Sequence, residues 1–192
     1  MVLFIILSNF ESETAQSTKE RETVMNEERN ELKQSVSTAI DIARHIIAFC
    51  NDQEEPVPVS NIKLQKLLYL VFGYFCLDSN VKLFSDAFQA WQYGPAVAEV
   101  YDQFCAFSGS YIYLTDAPPV LPEEITASIN PTIEKNMRRD VFELVEETHQ
   151  PGSAWAKAME RRGASKSPDI LFDDIIEEFR KRRDENGAAS AL

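Results

Sequence analysis

A mainly α, compact helical domain with a small β element is the fold class that the sequence predicts. Three observations predict it. Apolar residues recur at three- and four-residue steps over most of the chain after position 35. One short stretch, 84–91, alternates instead. Gly, Pro and Asn punctuate the chain between these segments, as element boundaries do. At 192 residues the chain is long enough for one domain with tails and a sizeable core.

The first 34 residues stand apart. "MVLFIILSNF" carries six apolar residues in a row, Val2 to Leu7, far short of the ~20 that a membrane span needs. It has no preceding Lys or Arg and no small-residue cleavage site, so it does not read as a signal peptide. Residues 11–34 are polar and lack apolar periodicity. The expectation is a mobile N-terminal extension over 1–34, with either Met1 or Met25 as the start, and a domain over 35–183.

Val36, Ala39, Ile40, Ala43, Ile46, Ile47 and Cys50 predict a helix over 35–50, which "NDQEEPVPV" breaks. Ser60 or Asn61 then caps a helix over 61–77. Its apolar residues, Leu64, Leu67, Leu68, Val71, Phe72 and Phe75, cover more than half the circumference, as in a central buried helix. Gln65, Lys66 and Tyr69 interrupt it on one flank. Either Lys66 snorkels to the surface, or the three form a polar anchor to neighbouring backbone or to a partner.

Residues 84–91 read as a strand and "SYIYLTD", about 110–115, as its partner. Between them Gly94-Pro95 opens a helix over 95–107. Four prolines make 115–131 a loop. Met137, Val141, Leu144, Val145 and Thr148 predict a helix over 132–149, and Ser153 caps another over 154–162. Phe172, Ile175, Ile176 and Phe179 predict the last helix, with Asp173 and Asp174 early and Arg180 to Arg183 late, as the helix dipole prefers. A flexible tail, 184–192, follows.

The charge is −12, from 19 Lys and Arg against 31 Asp and Glu. It repels phosphate backbones and favours a basic protein partner over nucleic acid. Cys50, Cys76 and Cys105 show no disulfide or metal spacing, so all three read as buried thiols of a cytoplasmic protein. With only His45 and His149 besides, no metal or cofactor is expected. Phosphate loops, nucleophile elbows and HExxH are absent, so the chain reads as a non-enzyme. Asp173-Asp174 and Glu177-Glu178 read as a solvated helix face.

The blocks "KLQKLLYLVFGYF", "LFSDAFQAWQYGPAVAEVYDQF" and "ETHQPGSAWAKA" occur in that order, and over about 35–180 the chain resembles the Panacea, or SocA-like antitoxin, domain. The positions that carry the resemblance are Leu64, Gln65, Lys66, Leu67 and Tyr69, then Trp91, Tyr93, Gly94, Pro95, Val97 and Tyr101, then Thr148, His149 and Trp155. The resemblance marks them as structural or partner-binding. It also leads one to expect more helix than the proline-rich 115–131 suggests. It implies an antitoxin that binds and neutralises a co-encoded protein toxin. Two alternatives are a proteolytic adaptor that delivers the toxin to a protease and a transcriptional regulator, the latter disfavoured by charge. On this reading Gln65, Lys66 and Tyr69 buttress the "WQYGP" turn, and the partner docks on the frame they set.

Overall fold

The computed structural model describes residues 35–189, so the expected extension 1–34 and the last three residues lie outside what is described. The described residues form seven α-helices, one 3₁₀ turn and a two-stranded antiparallel sheet. In chain order these are α1 (Ala39–Asn51), α2 (Asn61–Ser79), β1 (Gln89–Trp91), β2 (Gly94–Ala96), α3 (Ala98–Phe104), α4 (Glu123–Met137), α5 (Val141–Thr148), α6 (Ala154–Arg161) and α7 (Phe172–Ala189). Among the described residues, no helix is long and apolar enough to cross a membrane.

The chain folds around α2. Every residue from Leu64 to Gly73 is buried, so this helix has no outward face over nearly three turns. α1, α3, α4, α5, α7 and β2 all pack on it. Ser60 caps it by accepting from the Lys63 amide, and Asn80 ends it in the left-handed conformation with φ 58°. An aromatic cluster fills one side. Phe72 meets Phe84 at 4.6 Å and Phe88 at 5.3 Å between ring centres, and Tyr69 lies edge-on to Phe88 and Phe179. Such rings each contribute a few kcal/mol, of order 1.5–3, through the apolar area they remove from water.

Several elements depart from the pattern read in the sequence. The strand is shorter than 84–91, because Phe84 and Phe88 turn into the core and only Gln89–Trp91 pairs. Its partner is the adjacent Gly94–Ala96, in the register Gln89↔Ala96, Ala90↔Pro95 and Trp91↔Gly94. Residues 110–115 do not join it. Instead Ile112 donates to Val59 and Tyr111 bridges Ser60, beside the start of α2. Pro95 therefore lies in a strand and not in the first turn of a helix.

The expected loop 115–131 is helical from Glu123. Ile125, Ile129, Ile133 and Met137, at four-residue steps, form the buried stripe of α4. Pro131 sits inside this helix on its exposed side. There its missing N–H deprives only the carbonyl of Ala127, an exposed residue that solvent can serve. The single helix expected over 132–149 is two, because Asp140 caps a new start by accepting from the Phe142 amide. α7 runs on to Ala189, through most of the stretch expected to be a flexible tail. Cys50 and Cys76 are buried, but Cys105 is exposed, in the 3₁₀ turn after α3.

Gly73 lets α7 close on α2. A Cβ there would stand 2.2 Å from the Phe179 ring. In an exposed helix, Gly→Ala stabilises by about 1 kcal/mol. At this contact Gly73→Ala is instead expected to destabilise by roughly 1–3 kcal/mol, through overpacking. Urea unfolding measures the change. Unchanged or raised stability would contradict the close packing of Phe179.

Candidate functional site: a hairpin clamped on the central helix

Gln65 and Lys66 reach from α2 to the β1–β2 hairpin. The Gln65 side chain serves both backbone groups of Val97. Its Oε1 accepts from the Val97 amide at 2.8 Å, and its Nε2 donates to the Val97 carbonyl at 3.5 Å. Lys66 is 2% exposed, and its Nζ donates to the Pro95 carbonyl at 2.7 Å. Of the two readings of Lys66, the structure has the anchor. Burial pushes its ammonium down from 10.5 to about 7.

Gly94 completes the fit. It takes φ +96°, while Gln92 and Tyr93 in the two-residue loop keep negative φ. Placing the left-handed residue just after the loop on a glycine lets the strands keep their twist without strain. Space demands glycine as well. A Cβ at this position would lie 2.5 Å from Thr148 Oγ1 and 2.7 Å from Lys66 Nζ. The motif glycine, lysine and threonine are thus one packing unit.

The far side of the hairpin is held from the C-terminal third. Trp155 Nε1 donates to the Trp91 carbonyl at 2.8 Å. His149 ends α5 with Nδ1 2.6 Å from the Val145 carbonyl and Nε2 3.2 Å from the Gln92 carbonyl. An imidazolium would donate to both carbonyls, whereas a neutral ring has one N–H to give. His149 and Trp155 also stack, with ring centres 3.9 Å apart. The segment 168–170 adds backbone bonds, Ala90 to Pro168 at 2.8 Å and Ile170 to Phe88 at 2.7 Å.

Tyr69 does not reach the turn. Its hydroxyl donates instead to Glu178 Oε2 at 2.8 Å. Burial, with the Glu178 carboxylate beside it, pushes the phenol well above its usual range, so it remains a donor. Glu178 is itself buried. It accepts from the Ala154 amide at the start of α6 at 2.7 Å and from Arg182 at 2.6 Å. A carboxylate at a helix N-terminus also meets the favourable end of the dipole. The expected solvated face of α7 is therefore corrected at Glu178 and at Asp174, whose side chain is 14% exposed and pairs with Lys157 and Arg161. Three of the four "RKRR" cations are occupied too. Arg182 pairs with Glu147 and Glu178, Arg183 with Asp78, and Lys181 with Glu177.

The fourteen motif positions separate into three groups by exposure. Leu64, Gln65, Lys66, Leu67, Tyr69, Gly94, Pro95, Val97 and Thr148 are buried; Trp91, His149 and Trp155 are half-buried; Tyr93 and Tyr101 are exposed. The structure brings Trp91, Tyr93, Gly94, Pro95 and Val97 together with Gln65, Lys66, Thr148, His149 and Trp155, and it places Tyr69 in a separate network. Sequence reasoning missed Glu178 and the 168–170 segment. The spacing of Glu178 three after Ile175 and four before Arg182 was the available signal. Among the described residues no group of three or more His, Cys, Asp or Glu side chains is arranged to hold a metal.

The depressed Lys66 sets a pH dependence. Between pH 7 and 10.5 the unfolded chain holds a proton that the folded chain has released, so the stability due to Lys66 rises with pH. Below pH 7 both states are protonated and the full desolvation cost remains. Lys66→Met removes the titration and leaves the Pro95 carbonyl without its donor. The stability of the native chain relative to Lys66→Met should therefore grow by roughly 1–3 kcal/mol from about pH 6 to pH 8.5. Urea titrations of both proteins measure it. A difference independent of pH would place the ammonium in solvent.

A family model described as "Antitoxin SocA-like, Panacea domain" matches residues 64–156. The chain is 30% identical over 112 residues to "Antitoxin SocA" of Caulobacter vibrioides (strain NA1000 / CB15N). That alignment covers 52% of this chain and 59% of the relative, so the match spans less than two thirds of the relative's length. No solved structure matches. The matched region runs from the first turn of α2 to the start of α6 and contains Gln65, Lys66, the whole hairpin, Thr148, His149 and Trp155. Over residues 64–156 the chain is similar to the Panacea domain of SocA-like antitoxins, and the family model and the relative together support a domain of that kind there.

Proposed function

We propose that the protein is an antitoxin of the cytoplasm that neutralises a co-encoded protein toxin by binding it, without catalysis of its own. The observation that carries this reading is the domain match, which falls on the residues that clamp the hairpin and not on a reactive constellation. A hairpin tied by side chains from two directions presents its loop with little freedom to lose on binding, and preorganisation of this kind favours affinity. The charge of −12 supports a toxin with a basic surface, since opposite potentials speed encounter.

Direct neutralisation is preferred to delivery of the toxin to a protease. The adaptor reading is tied to a flexible 184–192, and α7 incorporates residues 184–189 of that stretch into a helix.

Co-expression with the toxin gene encoded alongside tests the proposal. Growth should be restored, the two chains should copurify, and the toxin level should stay unchanged. Rescue with a falling toxin level would support delivery to a protease instead. Rescue without a complex would overturn direct binding.

A further inference from the structure

Residues 83–134 contain seven acidic residues and no Lys, Arg or His. The same stretch holds four of the six tyrosines, Tyr93, Tyr101, Tyr111 and Tyr113, and all four are exposed, between 39% and 66%. The other two, Tyr69 and Tyr74, pack against Phe179. An acidic, tyrosine-rich stretch without a cation is unusual on a surface where signs normally mix.

The fold draws part of this stretch onto one face. α3 buries Val100 and Phe104, which turns Glu99, Tyr101, Asp102 and Gln103 outward. The Tyr101 ring meets Trp91 of β1 edge-on, with centres 5.0 Å apart. Two residues beyond Trp91, Tyr93 stands 51% exposed in the hairpin loop. Asn61 fixes the back of α3 by donating to the Tyr101 carbonyl at 3.1 Å. The rings thus sit on backbone that α2 holds from beneath.

The charges on this face lack partners of their own. Glu99 has Asp86 for a neighbour, and the hydrogen bond to that carboxylate, with its charge, pushes the Glu99 carboxyl above its ordinary value. Among the described residues, ion pairs gather instead around α5, α6 and α7. A groove of about 920 Å³ walled by α4 and α7 contains Arg139 and Arg182, and both already face Glu147. The α3 face offers anionic and aromatic groups with nothing opposite.

We infer that Trp91, Tyr93 and the outward side of α3, with Glu99 and Asp102, form the docking surface for a protein partner that presents arginine or lysine side chains. This rests on the antitoxin reading and names where the toxin binds. Tyrosine and tryptophan supply large contact area with few rotatable bonds, and they are frequent anchors of binding energy. A guanidinium or ammonium laid on an exposed ring gains a cation–π attraction, and a flanking carboxylate supplies the salt bridge. The acids also give the approaching toxin a local field, which acts chiefly on the association rate.

The test uses the full chain and the purified product of the adjacent toxin gene. Tyr101→Ala and Tyr93→Ala should each weaken the complex by about tenfold or more, mainly through faster dissociation. Asp102→Lys should slow association about tenfold at low salt, with the deficit shrinking as salt rises. Glu160→Lys, which changes net charge equally at an exposed position on α6, should alter association by no more than about twofold. Melting temperatures show that each variant is folded, and Asp102→Lys, exposed throughout, keeps the test open should Tyr101→Ala unfold. Native complex formation with all three face variants within twofold of it would overturn this surface and leave the antitoxin reading intact. No complex with the native chain would overturn the direct-binding reading and the surface with it. Equal effects of Asp102→Lys and Glu160→Lys would assign the charge dependence to the whole molecule and overturn the local role of α3.

Discussion

A lysine amine buried against one backbone carbonyl is the contact on which the rest of this structure depends. Lys66 sits in the middle of a helix that is buried all round, and its Nζ meets the Pro95 carbonyl at 2.7 Å. Stripping an ammonium of water is expensive unless its partners are in place. The same burial constrains the neighbouring positions. Gly94 must lack a side chain because the amine and the Thr148 hydroxyl occupy that space, and Gln65 must be an amide because Val97 offers both a donor and an acceptor. One desolvated group therefore ties α2, the hairpin and α5 into a unit.

The hairpin needs that support. Three paired residues per strand make far too little sheet to persist alone in water. Here α2 holds one edge through side chains, and Trp155, His149 and the 168–170 backbone hold the rest. A second network, Tyr69–Glu178–Arg182, ties α2 to α6 and α7, which carry Trp155 to its carbonyl. Rigidity of the loop is then a property of the whole helical assembly. The exposed Tyr93 and Tyr101 inherit it, and a partner that binds them finds the rings already positioned.

Much of this was legible in the sequence, for reasons that can be named. The apolar periodicity of α1, α2 and α7 is long, so their existence and most of their buried faces follow from it, even where Gln65, Lys66 and Tyr69 interrupt α2. Ser60 and Ser153 mark helix starts because a hydroxyl can take the amide of a first turn, and both do so. The prolines misled. Pro131 suits an exposed position within α4, where its missing donor meets solvent, so a proline-rich stretch concealed a four-step stripe of isoleucines and a methionine. The pairing of the strand was misjudged because "SYIYLTD" has the alternation of a strand while "GPA" has no such signature, yet the two-residue loop makes the near partner the cheaper one to close. Glu178 was hidden in an acidic run. Its step of three from Ile175 hinted at the buried flank, but its partner Tyr69 lies more than a hundred positions away, where no local pattern points.

Amide hydrogen exchange in Lys66→Met measures the central dependence most directly, since protection reports the local opening of each element. If the Lys66–Pro95 contact holds the hairpin, the amides of Ala90 and Val97, bonded to Pro168 and Gln65 in the native chain, should lose protection by about tenfold or more. Amides within α1 and α4, which share no hydrogen bond with the hairpin, should change far less. An unaltered rate at Ala90 and Val97, or one equal loss across every element, would show that the hairpin keeps its place without the buried amine.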